Sequence, residues 1–142
     1  MSIDRCVALC VARFYVELAD RLEEGARGAL MQAGITEVDR FDVPGAFELP
    51  LVAKYAAQSG KYAAVVCLGA VIRGETDHYD FVCSSAASGI LRVGLDTGVP
   101  CAFGLLTVEN MDQALERTGG KRHQGEDAAR AVMKMVELKR SL

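Results

Sequence analysis

The sequence predicts an α/β fold, a three-layer α/β/α sandwich built on a four-stranded parallel sheet. Three observations lead there. Short apolar runs alternate along the chain with longer amphipathic ones. Three of the four short runs lack the polar alternation of a strand with one wet face, and strands apolar on both faces belong to parallel sheets covered by helices. Each of the three prolines falls at or near a boundary between segments, so nothing interrupts the alternation.

Taken in order, Cys6 to Ala12 reads as the first strand. A helix follows with Leu18, Leu22, Ala26, Leu30 and Ala33 on one face, ended by Gly34. Glu37 to Val43 is the second strand, leading to a helix from about Phe47 to Ser59 that tolerates Pro50 in its first turn, where the missing N–H is not needed. Ala63 to Gly69 is the third strand, and the helix from His78 to Asp96 carries Val82, Ala86, Ile90 and Val93 on one stripe. Cys101 to Leu106 is the fourth strand. Helical patterns at Glu109 to about Thr118 and Gly125 to about Lys139 complete the chain. Repeated β-α-β units imply right-handed crossovers and a doubly wound sheet in a flavodoxin-like order. Without repeats, low-complexity tracts or linkers, residues 1–142 are expected to form one domain.

Composition narrows the function. With 51% hydrophobic and 25% charged residues, a chain of 142 can bury a core without a metal or disulfide staple. Its net charge is −3, and the sixteen Lys and Arg are scattered apart from Lys121-Arg122 and a few near the C-terminus. Nucleic-acid binding needs clustered positive charge, so no such partner is expected. The apolar run near the N-terminus is too short for a membrane span and lacks a basic leader and a cleavage site, so no membrane partner and a cytoplasmic location are expected. Five cysteines occur singly, with no Cys-x-x-Cys pair and neither histidine beside them. They read as small buried hydrophobes in a reducing compartment, with no metal site.

Ligands of such sheets gather at the carboxyl ends of the strands, which directs attention to four loops. Gly74-Glu75-Thr76 precedes a helix, and free backbone N–H groups, a hydroxyl and the positive dipole end suit a phosphate; taken alone, these residues read first as a plain helix cap by Thr76 or Asp77. Here Glu75 would offer its amide and turn its carboxylate to solvent. His78, two residues on, brings an imidazole, the group that gives and takes protons near neutral pH, or is an incidental first-turn histidine. Val43-Pro44-Gly45-Ala46-Phe47-Glu48-Leu49-Pro50 could receive a polyol through amides and a carboxylate, or be a strand-to-helix turn with Glu48 at the dipole. Phe14, in Arg13-Phe14-Tyr15, could stack on a flat heterocycle or fold over its own helix. Arg117 could clamp a phosphate with its fork of donors or offset a helix C-terminus.

Jointly and in spacing, these segments resemble the lumazine synthase family from Val7 to about Leu138. The resemblance is carried by Ala12-Arg13-Phe14, by Val43 to Pro50, and by Leu68-Gly69-Ala70-Val71-Ile72-Arg73-Gly74-Glu75-Thr76-Asp77-His78-Tyr79-Asp80-Phe81-Val82-Cys83. Phe103 to Asn110 continuing through Arg117 adds to it. It implies a cofactor-free transferase of riboflavin biosynthesis that condenses 5-amino-6-ribitylaminouracil with 3,4-dihydroxy-2-butanone 4-phosphate, giving 6,7-dimethyl-8-ribityllumazine, phosphate and water. It further implies that Phe14 stacks on the pyrimidine, that Ala46, Phe47 and Glu48 receive the ribityl chain, and that Val71 and Ile72 contact the ring through their backbone. Glu75 and Thr76 would bind phosphate and His78 would move protons. In the family the pocket lies between subunits of a homopentamer or its multiples, so Phe103 and Arg117 would enter from the adjacent chain.

Three departures stand out. Tyr15 occupies a position where the family commonly has Asn. Gln124 aligns with a lysine of the family's Asn-Lys-Gly, for which Lys121 or His123 are alternative substitutes. Many relatives also carry an extra N-terminal strand, whereas this sequence begins only a few residues before its first core strand. Two rival readings are the related archaeal-type riboflavin synthase and a flavin- or lumazine-binding or shell-forming protein without turnover.

Overall fold

β1 (Cys6–Ala12) is buried along its whole length, because it lies at the interior of the sheet and has helices on both faces. The computed structural model describes residues 5–119 and 122–142. Its main sheet has the order β2-β1-β3-β4, with β2 (Glu37–Val43), β3 (Ala64–Ile72) and β4 (Cys101–Val108) all parallel. Between strands run α1 (Val16–Gln32), α2 (Leu49–Gln58) and α3 (His78–Thr97), and α4 (Met111–Glu116) and α5 (Gln124–Ser141) follow β4.

The period-2 alternation of the strands divides the core in two. Val7, Leu9 and Val11 join Val66 and Leu68 under α1 and α5, where Leu18, Leu22, Leu30, Val132 and Val136 meet them. Ala8, Cys10, Val65 and Cys67 point the other way, toward Leu49 and Ala53 of α2 and Ile90 and Val93 of α3. Each fully buried Leu contributes about 1.5–3 kcal/mol relative to exposure. Cys10 and Cys67 are register partners, fully buried. A hydrogen bond with Cys10, together with burial, holds the Cys67 thiol well above its ordinary pKa, and burial pushes Cys101 up to about 12. Neither is a ready nucleophile.

Close backbone approach explains one glycine. Gly125 lies in the first turn of α5 directly against α1, where a Cβ would collide with the Leu22 carbonyl. At the end of α1, Gly34 takes φ +88°, a conformation other residues avoid.

Several element boundaries differ from the sequence expectation. Ala33 is not on the first helix stripe but caps it, exposed. β3 and β4 each run past their expected ends, β3 through Ile72 and β4 through Val108. The added residues pair with one another, Val71 with Thr107 and Ile72 with Val108. The second helix opens with a tight 3-10 turn over Ala46–Glu48. α4 is shorter than expected because the Asn110 side chain caps it, accepting from the Gln113 N–H at 2.9 Å. Thr118 has left that helix for a two-residue hairpin, β5 (Thr118–Gly119) with β6 (Arg122–His123). Among the described residues, no helix is long and apolar enough to cross a membrane.

Candidate active site

The carboxyl end of β1 is held by charge. Arg13 donates to Glu23 at 2.7 Å and to Asp42 at 3.0 Å, pairs also with Asp20, and closes its backbone N–H onto the Val43 carbonyl at 2.9 Å. Glu23 in turn accepts from Arg27 at 2.8 Å and Arg40 at 3.2 Å. Burial pushes the Glu23 carboxyl up, but the hydrogen bonds from Arg27 and Arg13 and the charge of Arg40 outweigh it and leave the group below its ordinary value. This hub joins β1, α1 and β2 immediately before Phe14. The Phe14 ring is 74% exposed and meets Tyr15 edge-on, with centroids 5.0 Å apart.

At the end of β2, the Glu48 carboxylate accepts the Gly45 N–H at 3.0 Å and so fixes the turn that presents Ala46 and Phe47. That bond uses one carboxylate oxygen, and Glu48 as a whole is exposed. Val71 and Ile72 finish β3. β1 pairs with β3 only through Leu68, so on that side the backbone from Gly69 onward has no ladder partner among the described residues.

Beyond β3 comes the turn that opens α3. Thr76 Oγ1 accepts the His78 N–H at 3.3 Å, and Asp77 is the cap position without a side-chain bond of its own. Thr76 thus supports the helix start through its hydroxyl. His78 is exposed, at the first residue of α3.

These three connections enclose one open cleft of about 630 Å³. Phe14 lines it from the first, Ala46, Phe47 and Glu48 from the second, and Val71, Ile72, Thr76 and His78 from the third. Glu75 is exposed and does not line it. Tyr15 does, beside Phe14. Volume and apolar lining suit a drug-sized heterocycle.

Phe103 and Arg117 are not part of that cleft. Phe103 lies on β4, the last strand of the sheet, and lines a second, smaller hollow with Gln124 and Met135. Gln124 donates its backbone N–H to the Arg117 carbonyl at 2.8 Å and its side-chain amide to the Phe103 carbonyl at 3.4 Å. Arg117, at the end of α4, gives one guanidinium N–H to the Gln113 carbonyl at 3.1 Å. His123 is used otherwise: its Nδ1 accepts the Glu126 N–H and caps α5, with the ring packed over Gly25. Lys121 lies outside the described residues. A single chain thus carries two separate groups of the expected site residues.

A family model described as 6,7-dimethyl-8-ribityllumazine synthase matches residues 4–140. The chain belongs to that family. A protein of Deinococcus radiodurans bearing the same name is 53% identical over 139 residues, covering 96% of this chain and 88% of that one. Another, from Desulfatibacillum aliphaticivorans, is 48% identical over 133 residues, covering 92% and 86%. As a lumazine synthase family member the chain is a transferase of riboflavin biosynthesis acting on small molecules.

Sequence reasoning missed part of the cleft wall. Tyr79 and Phe81 line it, and Val82, read as core stripe, lines it as well. The signal was available, since Tyr79-Asp80-Phe81 lies within the longest matching segment and directly follows His78. Burial raises the Tyr79 phenol above its ordinary pKa. Among the described residues no group of three His, Cys, Asp or Glu side chains could hold a metal ion.

Proposed function

We propose that the cleft and the Phe103–Arg117 face are the two halves of one active site, completed between neighbouring copies of a homopentamer or its multiples. The pyrimidine stacks on Phe14, with its ring edge against the Val71 and Ile72 backbone and its ribityl chain over Ala46, Phe47 and Glu48. The butanone phosphate places its anion at the Glu75 amide and the Thr76 hydroxyl, with Arg117 of the next copy opposite. The observation that carries this reading is the meeting of three loops in one cleft that lacks any cation of its own among its lining residues, while Arg117 stands elsewhere on the chain. A dianionic substrate needs a cation, and a second copy supplies it.

The chemistry follows from placement. The pyrimidine amine attacks the ketone carbon and water leaves to form an imine. A proton is lost from the neighbouring carbon, the phosphate departs with the electron pair of its C–O bond, and the ribitylamino nitrogen closes the ring with loss of a second water. His78 stands where it can carry protons in these steps, and holding two substrates together removes several kcal/mol of encounter entropy. These condensation and elimination steps are redox-neutral overall, so the reaction calls for no redox cofactor. Its five free cysteines suit the reducing cytoplasm, where small substrates diffuse freely.

The test is the assembled enzyme with both substrates, followed by product absorbance. Arg117→Ala is expected to raise KM for the butanone phosphate far more than for the pyrimidine, because its charge addresses only one of them. Equal weakening of both, or riboflavin binding without any product from the parent protein, overturns the assignment.

A further inference from the structure

We propose that Arg73 is a positioning residue: it holds the phosphate turn in its binding shape before substrate arrives, without touching substrate itself. This rests on the reading of the 74–78 turn as the phosphate site. Arg73 immediately precedes that turn, and Asp80 follows it in the first helical turn. The Arg73 guanidinium donates to Asp80 Oδ1 at 3.3 Å, so one ion pair joins the two ends of the turn. Its Nε donates to Glu109 at 3.1 Å, fastening both ends to the connection after β4. The guanidinium carbon lies 4.3 Å from the centroid of the Tyr79 ring, and Tyr79 lines the cleft. The Arg73 backbone is fixed too, its N–H donating to the Val108 carbonyl at 2.9 Å.

An arginine beside an anion site invites assignment as a direct ligand. Here its donors are directed at two carboxylates, its face lies against an aromatic ring, and it does not line the cleft. What it supplies is shape. Without it, the glycine-containing turn would sample many conformations and lose that freedom only on binding, which weakens affinity. The same contact sets the pose of Tyr79 next to Thr76 and His78. Arg73 and both carboxylates are substantially exposed, and exposed pairs are individually weak, so the expected loss is about fivefold rather than a thousandfold.

The probe is inorganic phosphate as a competitor of the butanone phosphate on the assembled enzyme. Arg73→Ala is expected to raise the phosphate inhibition constant about fivefold while leaving KM for the pyrimidine and the melting temperature nearly unchanged. Arg73→Lys should recover part of the loss, since it keeps charge but not the planar fork. Asp80→Asn should act in the same direction, and the double variant should lose less than the product of the two, as residues of one contact do. An unchanged phosphate constant in Arg73→Ala, equal weakening of the pyrimidine, or independent losses in the double variant overturns the positioning role. Thr76→Val separates the two claims. If it leaves phosphate competition intact, the phosphate turn itself is wrong; if it abolishes competition while Arg73→Ala does nothing, only the role of Arg73 falls.

Discussion

If His78 and Arg117 serve one pocket from two copies, two crippled variants should repair one another. The His78→Ala chain retains Arg117, and the Arg117→Ala chain retains the cleft with His78, Thr76 and Phe14. Loss of a positioned acid–base group costs about 10²- to 10⁴-fold in rate. Loss of one partner of a desolvated charge pair costs about 2–5 kcal/mol, or at least about thirtyfold in kcat/KM. Each variant ring alone is therefore nearly silent at low substrate. In rings assembled at random from equal amounts of both, a site is whole when an Arg117→Ala chain supplies the cleft and a His78→Ala chain supplies the guanidinium. That occurs at about one site in four, the product of two independent halves around a head-to-tail ring. Co-expression of the two chains under separate tags, purification through both tags and a rate measurement at low butanone phosphate should return about a quarter of parental activity. A rate equal to the mean of the two parents would refute the shared site.

Other outcomes follow from the fold. Glu23→Gln removes the anion from three arginines at 2.7, 2.8 and 3.2 Å, and its side chain is only 11% exposed, so a destabilisation of about 2–3 kcal/mol is expected in denaturant titration. Because the folded carboxyl titrates below its unfolded value near 4.5, that stabilisation is complete above it and is lost as pH falls through the lower folded pKa; the gap between parent and variant should be flat at neutral pH and close in acid. A gap that widens in acid would contradict the sign. Gly125→Val drives a side chain into the Leu22 carbonyl and should cost about 1–3 kcal/mol or more, read as a lower melting temperature.

Much of the fold was legible because its signals are local. Cys6 to Ala12 is apolar at every position and emerged with its expected bounds; so did Glu37–Val43. The strand order agrees with the flavodoxin-like expectation, since right-handed crossovers leave few alternatives. The ends of β3 and β4 were not legible. Val71 and Ile72 read as loop because their strand character depends on Thr107 and Val108, residues far along the chain that were themselves left outside a strand. The cleft was legible where motif residues fall in successive loops of one sheet edge. Arg73 was passed over because its importance lies in reaching Asp80 and Glu109 together, a meeting that no spacing announces. Gln124 donates its side-chain amide to the Phe103 carbonyl of the edge strand, so an uncharged group stands there in the hollow beside Phe103.

The mount of Phe14 differs in kind from the rest of the cleft wall. Val71 and Val82 pack against the core, but the stub that carries Phe14 is moored by Arg13 to three carboxylates, two of them open to water. Salt and acid act on moorings of that kind long before they reach a hydrocarbon interior. As the medium turns sour or briny, the mount of Phe14 slackens first, while the sheet beneath it still stands.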